Sequence, residues 1–230
     1  MYFDPLYLMF MVPGLLLAML AAAITKSTFA KYSRVAASSG MTGAEAARHM
    51  LDANGLREVR VEQTQGFLTD HFDPSANVLR LSPQVYQSDS LSAIGVACHE
   101  AGHALQKATG YGPLGLRTAL VPVTQFGSNV SWILLMLGLA MHFPFLVKAG
   151  VLLFAVAVLF TIVTLPVEWD ASARAKKQMV TAGIVTNAEQ DHAASVLNAA
   201  FLTYVAGAVT AILQLLYFLI RSGLLGGRRT

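Results

Sequence analysis

The chain has 230 residues, of which 13% are charged and 55% apolar, and its formal net charge is +3. Soluble domains carry about 25% charged residues, so this composition excludes an ordinary water-soluble domain and predicts an integral membrane protein. The small positive excess falls at the edges of apolar stretches, which argues against nucleic acid as a partner, and the single cysteine, Cys98, excludes an intrachain disulfide.

The first apolar stretch, 6–25, lies between Asp4 and Lys26 and is long enough to cross a bilayer. No basic residue precedes it, so it is expected to persist as an anchor rather than to be cleaved as a signal peptide. Residues 26–127 are the only stretch long enough for a folded domain outside the membrane. Within it, Thr42-Gly43-Ala44-Glu45 has the pattern of a capping box, Ala46, Ala47, Met50 and Leu51 supply an apolar face, and Gly55 a stop. Val59-Arg60-Val61-Glu62 and Val78-Leu79-Arg80-Leu81 each alternate, and the turn residues between them predict a short β-hairpin. Residues 90–107 read as a helix entered through Ser88-Asp89-Ser90 and followed by Gly110. Gly110, Gly112, Pro113 and Gly115 predict a loop leading to the second span.

Residues 128–165 hold two further spans, 128–143 and 146–165, joined by a connection so short that they must form a hairpin. A polar helical segment, 166–200, leads to the fourth span, 201–220. Ala206, Gly207 and Ala211 on that span permit close helix packing, within the chain or in a homo-oligomer or with a membrane protein partner. Lys26, Lys31, Arg34, Arg174, Lys176 and Lys177 all fall on one side of such a topology, which predicts that the polar domain and its site face the cytoplasm. Arg221, Arg228 and Arg229 in the tail pull the other way.

The 90–107 helix carries His99-Glu100-Ala101-Gly102-His103. Residues i and i+4 share a helix face, so His99 and His103 converge on one point, while Glu100 is rotated about 100° away and stays free to work on a water molecule. This is the H-E-x-x-H pattern of zinc hydrolases. Catalytic zinc takes three protein ligands and keeps one position open, so a third must come from elsewhere. Glu168 is the best candidate: it follows Pro166, which suits the first turn of a helix, where the third span emerges on the same side as the motif. Asp170 faces elsewhere on that helix and is better placed to orient a histidine, with Arg174 one turn further on. His71 is the other contender, as a ligand or as a donor to a developing oxyanion, a role for which Arg174 and Tyr204 are alternatives. Cys98 reads as a small packed residue. His49 and His192 read as solvated, and His142 as interfacial.

Several stretches carry a resemblance. Thr69-Asp70-His71-Phe72-Asp73-Pro74, Leu81-Ser82, Val96 through Gln106 and Pro166-Val167-Glu168-Trp169-Asp170-Ala171-Ser172 occur in the order found in the neutral zinc metallopeptidases of bacterial membranes, the YugP-like family, which the chain resembles over nearly its whole length. The resemblance implies His99 and His103 as zinc ligands, Glu100 as base and Glu168 as third ligand. A looser likeness reaches the prenyl-protein and heat-shock membrane proteases. These have an aspartate four residues after the third-ligand glutamate, where this chain has Ser172.

The expected fold is therefore a mainly α membrane protein with four transmembrane helices and a small α+β zincin-like domain with a short β-hairpin. The expected function is zinc-dependent hydrolysis of peptide bonds in membrane or membrane-proximal proteins, in a bacterial cell membrane. The alternative is a zinc-stabilised adaptor that no longer cuts, though a pure scaffold has no need of Glu100.

Overall fold

The computed structural model describes residues 4–66 and 68–225; Arg228 and Arg229 lie outside the described residues. The elements in order are α1 (Pro5–Tyr32), α2 (Gly43–Ala53), β1 (Arg60–Gln63), β2 (His71–Asp73), β3 (Val78–Leu81), α3 (Pro83–Tyr86), α4 (Leu91–Ala108), α5 (Gly112–Ala140), α6 (Pro144–Thr181) and α7 (Asn187–Arg221). Among the described residues, α1, α5, α6 and α7 are long and apolar enough to cross a membrane. With the small sheet they make a mainly α membrane protein with a minor β element.

The chain forms two compact units, and neither is continuous in sequence. One takes residues up to 21, then 116–165, then from 203 onward. Its core is Leu135, Val147, Val151, Phe154, Val158, Tyr217 and Phe218. The hairpin of α5 and α6 closes through a turn in which His142 has φ +51°. These helices touch at backbone distance: a Cβ on Gly138 would lie 2.7 Å from Val147 N, and one on Gly150 3.0 Å from Leu135 N. The Ser131 hydroxyl donates to Gly150 O at 3.0 Å, satisfying a polar group inside the contact. Large side chains such as Phe126, Phe145 and Leu152 are at least 70% exposed, as a lipid-facing surface requires. On α7, Ala206 is buried within the chain, while a Cβ at Gly207 would meet nothing within 4 Å.

The other unit takes 22–115 and 166–202, so the motif helix and the segment carrying Glu168 share one core. Thr42 caps α2 as its sequence predicts: its hydroxyl accepts from Glu45 N–H, and the Glu45 carboxylate accepts from Thr42 N–H at 2.8 Å. Gly55, at φ +75°, ends the turn beyond it in a conformation only glycine adopts without strain. Met50, Leu51, Leu79, Leu81, Leu91 and Ile94 are fully buried and fix α2, β3 and α4 around one centre.

Three expectations need correction. The segments read as a hairpin, 59–62 and 78–81, are neighbours but pair in parallel, with Arg60 opposite Val78. The strand that forms the hairpin with β3 is β2, in antiparallel register with His71 opposite Arg80, and the sheet order is β1-β3-β2. A parallel pair needs a crossover, and residues 64–77 supply it with β2 inside. The loop expected at 110–115 shrinks to the turn at Gly110 (φ +63°), since α5 already begins at Gly112. Pro166 lies inside α6 and starts no helix.

Candidate metal centre

Ser90 caps α4 with its hydroxyl accepting from Ala93 N–H, which fixes the phase of the helix. One side of α4 buries Leu91, Ile94, Ala97, Cys98 and Ala101 in the core. Burial pushes the Cys98 thiol up to about 12, which keeps it protonated and inert. The His99 and His103 rings lie edge to face with centroids 4.9 Å apart. Helix α6 comes against this turn with Val167, Ala171 and Ala175 buried, the i, i+4 spacing of a packed face.

The approach of the two helices depends on Gly102. A Cβ there would lie 2.5 Å from Ala171 O, well inside van der Waals contact. Gly102→Ala is therefore expected to destabilise the fold by about 1–3 kcal/mol, as overpacking does, and to lower metal retention with it. Thermal unfolding and metal content measured on one preparation check both; an unchanged protein would show that the helices have room to separate.

Glu168 is 1% exposed. Its Oε2 lies 3.1 Å from His99 Nε2 and 3.7 Å from His103 Nε2, and one donor atom from each of the three lies within 4.8 Å of the others. Donors around a tetrahedral zinc, with bonds of about 2.0–2.2 Å, stand about 3.3–3.6 Å apart. The two imidazoles and the carboxylate lie near that spacing, within reach of small side-chain adjustments, and their types are those of a catalytic zinc site. The donor set fits zinc.

The comparisons agree with this chemistry. The family model described as "Putative neutral zinc metallopeptidase" matches residues 7–223. The chain belongs to this family. It is 47% identical, over 213 residues covering 93% of this chain and 95% of the relative, to the "Putative membrane protease YugP" of Bacillus subtilis (strain 168). No solved structure matches. The chain is thus a membrane-associated member of a zinc metallopeptidase family.

In this member, each imidazole is held from behind. His99 Nδ1 faces Ser172 Oγ at 3.1 Å, and His103 Nδ1 faces Gln106 Oε1 at 2.9 Å. Gln106, fully buried, donates through Nε2 to Val167 O and to Asp170 Oδ2, both at 2.8 Å. Arg174 Nε donates to the same Asp170 oxygen at 2.6 Å, and its Nη1 to Thr109 Oγ1 at 3.1 Å. Asp170 therefore reaches His103 only through Gln106. Arg174 is paired with Asp170, not with Glu168 or an open site.

Burial works to lower the pKa of His103, but its hydrogen bond to Glu168 and the charges of Glu100 and Glu168 outweigh that and raise it. A proton and a divalent cation thus compete for the same ring, and metal uptake must release protons.

Glu100 is half-buried, and its Oε2 accepts from Phe72 N–H at 3.0 Å. That amide belongs to β2, an edge of the sheet, so the strand edge and the carboxylate meet directly. Just ahead of β2, Asp70 accepts from Ser82 N–H at 2.8 Å and from the Ser82 hydroxyl at 3.0 Å. Burial raises the Asp70 pKa and the Glu100 charge adds to the rise, against the lowering effect of the Ser82 bonds. Lys107 Nζ holds the other end of β2 through Pro74 O and through Asn77 Oδ1 at 2.9 Å.

His71 is exposed on β2. Its Nδ1 faces Thr69 O at 2.7 Å and its Nε2 faces Arg80 Nη1 at 3.4 Å, and it takes no part in the three-donor group. His49 and His192 are exposed as expected, the first against Ala182 O and the second stacked on Tyr32.

Sequence reading gave no role to Gln106, Ser172 or Phe72. Two signals pointed to them: Gln106 is a polar residue one turn after His103, and Ser172 one turn after Glu168 on the same face.

Proposed function

We propose that the protein is a membrane-embedded zinc endopeptidase that cuts peptide bonds of membrane or membrane-proximal proteins. The observation that carries this reading is the largely buried His99, His103 and Glu168 group, with a second carboxylate, Glu100, on the same helical turn and outside the donor set. His99 Nε2, His103 Nε2 and Glu168 Oε2 would hold the ion. Zinc bound there supplies a Lewis acid that polarises a carbonyl and brings the pKa of water toward neutrality.

Glu100 takes the proton of the attacking water and delivers it to the leaving amine. Phe72 N–H, bonded to the same carboxylate, keeps it turned toward β2. An extended substrate laid along the edge of β2 would be held by backbone hydrogen bonds, which ask nothing of its side chains. His71, one residue from Phe72, is the donor we assign to the developing oxyanion, a role that requires its ring to turn away from Thr69 O and Arg80 when substrate binds. The lysine and arginine distribution supports a cytoplasmic position for this chemistry.

The test uses the full chain purified in detergent. It should contain about one zinc per chain and cleave an unfolded model protein, lose cleavage when a chelator strips the metal, and regain it when zinc is restored. Stoichiometric zinc with no cleavage of unfolded or membrane protein substrates would sink the peptidase reading.

A further inference from the structure

Resting on that reading, and deepening it, we infer that Gln106, Asp170 and Arg174 are positioning residues that lock His103 into the one tautomer able to bind metal through Nε2.

A glutamine amide has one NH₂ and one oxygen. Around Gln106 Nε2 stand a backbone carbonyl, Val167 O, and a carboxylate oxygen, Asp170 Oδ2, each at 2.8 Å, and neither can donate. The amide is therefore turned with NH₂ toward α6, and its oxygen faces His103 Nδ1 at 2.9 Å. An amide oxygen only accepts, so Nδ1 must carry the proton. The lone pair of the neutral ring is then on Nε2, the nitrogen that faces Glu168 at 3.7 Å.

The rest of the chain keeps Gln106 from flipping. Arg174 Nε and Gln106 Nε2 both donate to Asp170 Oδ2, and Thr109 accepts from Arg174, so a flipped amide would set its oxygen against a carboxylate and a carbonyl. Gln106 is fully buried, away from bulk solvent. The other histidine differs. His99 Nδ1 faces a hydroxyl, Ser172 Oγ at 3.1 Å, and a hydroxyl can donate as well as accept. One ligand is set by a directional relay and the other by a partner that adapts.

The test compares wild type, Gln106→Leu, Gln106→Glu and the double variant Gln106→Glu/Asp170→Asn, each as the full chain in detergent. Zinc affinity is read by competition with a coloured chelator, and ligand geometry by the visible absorption of bound Co²⁺. Both single variants should lose about 10–100-fold in zinc affinity and alter the Co²⁺ spectrum, the glutamate because it sets two carboxylates side by side. The double variant restores an acceptor facing His103 and removes the clash of two carboxylates, while Val167 O and Arg174 Nε lose their wild-type partners, so it should recover part of the affinity lost in Gln106→Glu and move the spectrum back toward wild type. A purely structural role would lower thermal stability and leave the Co²⁺ spectrum of the folded fraction unchanged.

Wild-type affinity and spectrum in Gln106→Leu overturn the inference while leaving the metal centre intact. If that variant does not fold, a double variant no better than Gln106→Glu overturns it instead. A wild type that takes up neither zinc nor Co²⁺ overturns the metal centre and the inference with it.

Discussion

Glu100→Gln is expected to keep its zinc and lose proteolysis by about 10²–10⁴-fold, the contribution of a positioned general base. The substitution keeps size and shape, and the amide oxygen still accepts from Phe72 N–H, so β2 stays where Glu100 holds it. None of the three donor atoms is touched. Metal analysis and a cleavage assay on the same preparation separate the two effects. Cleavage at the wild-type rate would show that another group takes the proton.

Glu168→Ala acts on the other half of the site and should release the metal from a folded protein. It removes the carboxylate whose oxygen stands 3.1 Å and 3.7 Å from the two imidazole nitrogens. Two histidines remain, and two ligands do not make a closed zinc site. The loss of affinity should exceed the roughly 10–100-fold that follows removal of an outer hydrogen bond. The fold should persist, because the contact of α6 with α4 rests on Val167, Ala171 and Gly102, none of which changes. Zinc content and circular dichroism check the pair of expectations. Full zinc occupancy in Glu168→Ala would remove it from the ligand set.

What could be read in the sequence was local. The capping box at Thr42, the entry at Ser90 and the i, i+4 histidines each depend on a few consecutive residues, and each stands as read. Strand pairing was misread because β2 has only three residues, amid Thr69, Asp70 and Pro74, whose composition signals a turn. Those same polar residues fasten the strand: Asp70 to Ser82 before it, and Pro74 to Lys107 after it.

Pro166 was misread for a related reason. A proline costs a long helix one hydrogen bond, here to Ile162 O four residues back, yet α6 runs on through it, and just beyond it Tyr111 donates to Pro166 O at 3.3 Å and Gln106 to Val167 O. Such partners come from 55 and 61 residues away and leave no trace in local pattern. Glu168 was legible because a carboxylate beside an apolar span needs a reason to be there. Ser172 and Gln106 carry no charge, and their roles appear only when the two helices are brought together.

The contact between Gly102 and Ala171 also bears on how freely the motif can drift. In the usual shorthand, two of its five places stand for any residue. Here Ala101 is fully buried and Gly102 faces a carbonyl with no room for a methyl group. Chemistry chooses His99, Glu100 and His103, while space chooses the other two. All five letters are spoken for, and a random substitution anywhere in the five would find no neutral place to land.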